Sequence, residues 1–194
     1  MARLGLLTKL TDSSNNRGKF GEMIVSSIFD NRYFGNEEHY LVNDLIIEYN
    51  GSTHQIDHIA IYKTGIFCIE TKNLSGLIIG DNLHSSWMQI VNKRKYDFMN
   101  PIMQNEAHIK ALQNLLNMQE NIYSLVIFIK GNKPKEIGYP VINLNELRET
   151  IKEFPNENEL ISLEMQNIYS KLIEYKERSG LTTKVHIENI KEVK

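Results

Sequence analysis

The sequence predicts an α/β fold, a mixed central β-sheet flanked by helices, and three observations predict it. From Tyr40 onward short apolar segments recur between turn signals, as strands do: 40–49, 54–62, 66–72 and 77–79. Segments with apolar residues at helical spacing stand before and after them. A compact apolar run, 123–129, follows the second of these helices, which is how a strand buried on both faces reads. Helix, antiparallel strands, helix, strand, strand, helices is an order that layers helices on a sheet.

Each element has its own signal. Residues 15–29 place Phe20, Ile24 and Ile28 four apart, with Ser or Asn available for the N-cap. Gly18 and Gly21 interrupt this helix at a cost of up to about 1 kcal/mol each, tolerable where another backbone must come close. Asn50-Gly51 is a strong hairpin turn, and Lys63-Thr64-Gly65 joins the next two strands. If Lys63 and Thr64 form a two-residue loop, Ile61 faces Ile66, Ile59 faces Cys68 and Asp57 faces Glu70. On that reading Ile59, Ile61 and Ile66 line one face, and Ile56, Ala60, Phe67 and Ile69 the other. The stretch from Ser86 to Ile90, with Trp87, reads as one more short strand. Asn100-Pro101 opens a helix with an Asn N-cap and Pro in the first position, running to Met118 with Ile109, Leu112 and Leu116 inward. A short strand at 139–142 and helices at 145–154 and 159–176 complete the order, Gly180 ending the last. The segment 181–194 alternates at Val185 and Ile187 but is too polar to assign. The expected division is a core domain, 1–154, and a C-terminal helical extension, 155–194, packed on or following it.

Composition narrows the function. A formal net charge of -2 argues against non-specific coating of nucleic acid, so any such contact must use local patches. Candidates are Arg17 with Lys19, Lys93-Arg94-Lys95, and Lys130, Lys133 and Lys135, each of which also reads as an ordinary solvated run. The single Cys68 excludes an intramolecular disulfide and a cysteine-based zinc site, and its apolar setting points to core packing. No secretory leader and no membrane-spanning run is visible, so a cytoplasmic location without membrane contact is expected.

The chemistry concentrates in Gln55-Ile56-Asp57-His58-Ile59 and Ile69-Glu70-Thr71-Lys72. Directly opposed like charges repel, and charge within apolar strands is costly unless paired or bound to a metal. Asp57 and Glu70, with Lys72 two residues on and on the same face, therefore suit a divalent cation better than they suit stability. A solvated strand face with an ordinary salt bridge is the bland alternative, and a three-residue turn would set the carboxylates on opposite faces. Hard oxygen ligands from Asp57, Glu70 and the Thr71 carbonyl suit Mg²⁺ or Mn²⁺. His58 points to the other sheet face as a core or supporting histidine. His54 and His108 have no partner at metal-ligand spacing, and Trp87 reads as packing.

Gly18-x-x-Gly21-Glu22, Gln55-Ile56-Asp57-His58-Ile59, Ile69-Glu70-Thr71-Lys72-Asn73, Trp87 and Asn100-Pro101-Ile102-x-Gln104-Asn105 together resemble the NERD (nuclease-related) domain. That family is placed in the PD-(D/E)xK, restriction-endonuclease-like superfamily, and the resemblance covers Arg17 to Ile129. It implies a restriction-endonuclease-like core, with Asp57 as the motif aspartate, Glu70 and Lys72 as the (D/E)xK pair, Glu22 as the first-helix glutamate and Gln104 as the polar residue of the second helix. Ile56 stands where the superfamily motif has proline. The expected activity is metal-dependent hydrolysis of phosphodiester bonds, with DNA ahead of RNA as partner and Glu22 as a further ligand. A nucleic-acid-binding or regulatory domain that keeps the fold without turnover is the alternative, and homo-oligomerisation is left open.

Overall fold

A computed structural model describes residues 14–29 and 34–182. The expectation for Val185 and Ile187 lies outside the described residues. Helix α1 (Ser14–Ile28) precedes strands β1 (Tyr40–Tyr49), β2 (Ser52–Tyr62) and β3 (Gly65–Lys72). Then come β4 (Leu77–Ile79), β5 (Ser86–Val91), β6 (Arg94–Met99), α2 (Pro101–Leu116), β7 (Ile122–Phe128), β8 (Val141–Asn143), α3 (Leu147–Lys152) and α4 (Ser162–Ser179).

The central sheet runs β1-β2-β3-β7-β8, antiparallel through β3 and parallel from β3 to β8. Asn50 and Gly51 both take positive φ (50° and 73°), the conformation a tight hairpin needs. Tyr62 pairs with Gly65, so Lys63 and Thr64 form the two-residue loop and fix Ile61 opposite Ile66 and Ile59 opposite Cys68. A parallel neighbour for β3 requires a long crossover. Here it carries a separate three-stranded antiparallel sheet, β4-β5-β6, followed by α2.

Both faces of the central sheet are covered. On one, Ile59, Ile61, Ile66 and Cys68 pack against Ala111, Leu112 and Leu116 of α2 and Met165, Ile168 and Leu172 of α4. On the other, Ala60, Tyr62, Phe67 and Ile69 meet Val25 of α1 and Leu147 and Ile151 of α3. Helix α4, in the segment expected to be an extension, thus shares the core of β2 and β3. Ile56 departs from the expected alternation and joins the face of Ile59 and Ile61. The reason is a break in the β1–β2 pairing. Asn43–His58 and Leu45–Ile56 pair on either side of Asp44 and Asp57, which do not, and Asp44 has φ 51°.

Strand β6 was not expected. Its sequence, Arg-Lys-Tyr-Asp-Phe-Met, is mostly exposed, with only Phe98 half-buried against the core, so it lacks the apolar alternation that marks a strand. Trp87 is buried as expected: its ring lies near-parallel to Phe128 at 6.2 Å, and its N–H donates to the Asp81 carbonyl at 2.8 Å. It moors the small sheet to the end of β7.

Candidate active site

Strand β3 delivers Glu70 and Lys72 to one face, with Thr71 between them. The Lys72 ammonium is 2.5 Å from Glu70 Oε1. It also donates to Gln104 Oε1 at 3.2 Å. Gln104 is there because of how α2 begins. The Asn100 side chain accepts the Ile102 N–H at 3.0 Å and donates to the carbonyls of Asp81 and His84, so the cap is held from both sides. One turn in, fully buried Asn105 donates to the Cys68 carbonyl and to Ser124 Oγ, each at 2.8 Å, and accepts the Cys68 thiol at 3.1 Å. This clasp across β3 and β7 sets the helix on the sheet, and Gln104 follows.

Asp57 lies at the pairing break in β2. The register that gives His58–Ile69 and Ile59–Cys68 runs on to Asp57 and Glu70, although pairing itself ends at His58–Ile69. Asp57 Oδ2 instead accepts the Thr71 N–H at 2.8 Å. Burial pushes the Asp57 carboxyl well above its usual range, and the charges of Glu70 and then Glu22 push the same way; the Thr71 N–H and Lys72 oppose them. Glu22 arrives from α1. Gly21 lets that helix come close, because a Cβ there would stand 2.8 Å from Asn73 Cβ and 3.3 Å from Thr71 Cγ2. Gly18 has no such contact, its nearest neighbour being Glu22 Oε1 at 3.9 Å. The Glu22 carboxyl is also raised, first by burial and then by Asp44 and Glu70, with Lys19 acting against them.

The structure therefore brings Asp57, Glu70, Lys72, Gln104 and Glu22 into one neighbourhood, with the Thr71 backbone between the two strands' carboxylates. Glu70 is 4% exposed, and its Oε2 is buried without a hydrogen-bond partner among the described residues. Among those residues no group of three or more His, Cys, Asp or Glu side chains is placed to hold a metal.

Sequence reasoning missed two neighbours. His108, given no partner there, has Nδ1 3.8 Å from Glu70 Oε2; its spacing of four from Gln104 was the available signal. Asp44 is the other. It lines a cleft of about 270 Å³ beside Glu22, with Lys19, Asn43 and His58. His58 lies on the face away from α2, its Nδ1 2.7 Å from Asn43 Oδ1, and burial lowers its pKa to about 4.

The model of the nuclease-related (NERD) domain family matches residues 17–129, more than half of the chain. The chain belongs to the nuclease-related domain family. The match ends just past β7, so it takes in every residue of this cluster. An uncharacterized protein of Bacillus anthracis is 32% identical over 164 residues, covering 81% of this chain and 76% of that relative. No solved structure matches the chain. Among the described residues no helix is long and apolar enough to cross a membrane.

Proposed function

We propose that this nuclease-related domain hydrolyses phosphodiester bonds of DNA with a divalent cation, Mg²⁺ or Mn²⁺. The observation that carries the reading is the double use of the Lys72 ammonium, held at once by Glu70 and Gln104 beside Asp57. Such an arrangement holds the Lys72 ammonium beside Glu70, within the electrostatic reach of Asp57.

The donor set fits a hard divalent ion. Glu70 Oε2 is a buried oxygen with no hydrogen-bond partner among the described residues, although His108 Nδ1 stands 3.8 Å from it, so it offers a free lone pair to a cation. Magnesium is commonly held by one or two carboxylates with several waters retained, so a cluster of three acidic ligands is not required. Asp57, Glu70 and the Thr71 carbonyl would hold the ion, with Glu22 reaching it directly or through water. The ion, when bound, supplies Lewis acidity toward a phosphate oxygen and a water of lowered pKa.

The chain's own residues supply the rest. An ammonium has three donors, and Lys72 gives two to Glu70 and Gln104. The third remains for a phosphate oxygen or the attacking water. Gln104 sits in the first turn of α2, where the helix end favours negative charge and the amide orients Lys72. Water oxygen bonds to phosphorus as its proton passes to bulk water, the ester P–O bond breaks, and the departing oxygen takes a proton from bulk water and leaves as a hydroxyl. The test is incubation of the protein with DNA and with RNA, with and without Mg²⁺ or Mn²⁺. Divalent-dependent DNA cleavage supports the reading. Salt-sensitive binding without cleavage in any metal replaces it with a binding module.

A further inference from the structure

Three basic patches, far apart in sequence, meet at the loop 73–76, which begins one residue after Lys72. Its first residue, Asn73, donates to the Arg17 carbonyl at 2.7 Å, so the start of α1 with exposed Arg17 stands against it. Its middle is held by the small sheet: Gln89 donates to the Ser75 carbonyl at 2.7 Å. Gly76 has φ 83°, and a Cβ there would stand 2.2 Å from the Ile90 carbonyl oxygen. Ile90 and Val91 pair directly with Lys95 and Arg94, and Lys93 sits in the turn between the strands. From the end of β7, Asn132 donates to the carbonyls of Leu74 and Gly76 at 3.1 and 2.9 Å, two residues past exposed Lys130.

Arg17, Lys93, Arg94, Lys95 and Lys130 are all exposed, and none makes a side-chain ion pair or hydrogen bond among the described residues. Lys133 differs, because its ammonium is spent on the Ile137 carbonyl. These exposed cations stand on three elements that one loop joins, with no paired counter-charge among the described residues, and the phosphates of a polyanion would supply it. In a chain of net charge -2, exposed cations on three joined elements form a local basic region of the kind any nucleic-acid contact would need.

We infer that loop 73–76 is the hub of a nucleic-acid-binding rim. Through it α1, the β5–β6 turn and the end of β7 present cations to backbone phosphates running past the end of β3. This deepens the nuclease reading and rests on it for the position of the scissile bond; the phosphate contacts themselves are testable without cleavage. The contacts are with phosphate, so the rim confers affinity and register and leaves base sequence unread.

The experiment is equilibrium binding of a ~30 bp duplex in chelator over about 50–200 mM salt, with each phosphate contact adding roughly 0.9 to the log–log slope. The parent is compared with the variant Arg17→Gln, Lys93→Gln, Arg94→Gln, Lys95→Gln, Lys130→Gln, and with a control, Lys110→Gln, Arg148→Gln. The rim variant is expected to bind at least tenfold more weakly at the lowest salt, with a slope smaller by about 3–4. The control is expected to match the parent, and melting curves check that all three are folded. In divalent metal the rim variant should show a raised KM with kcat within a few-fold of the parent. Equal affinity and slope for parent and rim variant overturn the inference while leaving the nuclease reading intact. So does a parent that binds no DNA at the lowest salt. A rim-dependent parent that never cleaves supports the rim and removes the catalytic reading instead.

Discussion

Replacing Asp57 with Asn removes one negative charge and keeps the shape, and it should stabilise the metal-free protein. Pairing of β2 and β3 ends one residue short of Asp57 and Glu70, and continuing its register would set their side chains about 5 Å apart. Two carboxylates at that separation repel by roughly 3 kcal/mol at an effective dielectric of about 20. Two losses offset the relief. The Thr71 N–H bond to a neutral amide is weaker than to a carboxylate by about 1 kcal/mol. The attraction of Lys72 for Asp57 also goes; it is the weakest of the influences on that carboxyl, and its loss costs ~1 kcal/mol. The expected net gain is about 1 kcal/mol, or roughly 2–4 °C in Tm for a domain of this size. The gain depends on pH. Because the folded-state pKa of Asp57 is raised, the parent carries no penalty from it below the ordinary carboxylate pKa, and loses stability as pH rises through the folded value. The advantage of Asp57→Asn should therefore be near zero at acid pH and largest at neutral pH. Thermal unfolding in chelator across that range measures it. Adding Mg²⁺ or Mn²⁺ should raise Tm more for the parent than for the variant, since a ligand stabilises the state that binds it. An Asp57→Asn protein clearly less stable than the parent at neutral pH without metal would mean that Asp57 is a structural acceptor for Thr71 and no ligand.

Other substitutions separate site from scaffold. Lys72→Met should lower cleavage by at least ~100-fold, the scale of a lost proton-handling group, and should destabilise the fold by leaving Glu70 buried without its cation, as initial rates and melting would show. Gln104→Ala should reduce activity about 10–100-fold with little change in Tm, because it orients Lys72 while Asn105 carries the helix contact. Gly21→Ala should cost about 1–3 kcal/mol, since the new Cβ meets Asn73 Cβ, whereas Gly18→Ala should be neutral or stabilising by up to ~1 kcal/mol. Trp87→Ala should cost about 3–5 kcal/mol by unmooring the β4–β6 sheet, seen as a lower Tm.

Local signals were the legible ones. The two-residue loop at Lys63-Thr64 set the register of Ile61 with Ile66 and Ile59 with Cys68, and Asn100-Pro101 placed Gln104 one turn into its helix. Both follow from backbone rules acting over a few residues. Boundaries drifted where those rules weaken: the helix expected at 145–154 is a 3₁₀ turn (Leu144–Glu146) followed by α3, and the last helix runs Ser162–Ser179. Long-range facts were not legible. Nothing in β7 announces that it lies parallel beside β3, and the side-switch that sends Ile56 across the sheet arises from Asp44 in the neighbouring strand. Asn105 looked like any polar helix residue, although its partners come from β3 and β7. The basic patches appeared separate because only the folded loop 73–76 joins them. Motifs identified the residues of the candidate site; tertiary packing decided what surrounds them.

Divalent-dependent hydrolysis at Asp57, Glu70 and Lys72 is directly measurable. Initial-rate cleavage of circular and linear DNA in Mg²⁺ and in Mn²⁺, beside Lys72→Ala and a chelator control, tests it most directly. Cleavage by the parent is expected in at least one metal and not in chelator, with a loss of at least ~100-fold in Lys72→Ala. Loss of linear DNA with circular DNA intact would assign exonuclease action, and nicking or linearisation of the circle endonuclease action. Cleavage that persists in Lys72→Ala, or a parent that binds DNA and cuts neither form in either metal, would contradict it.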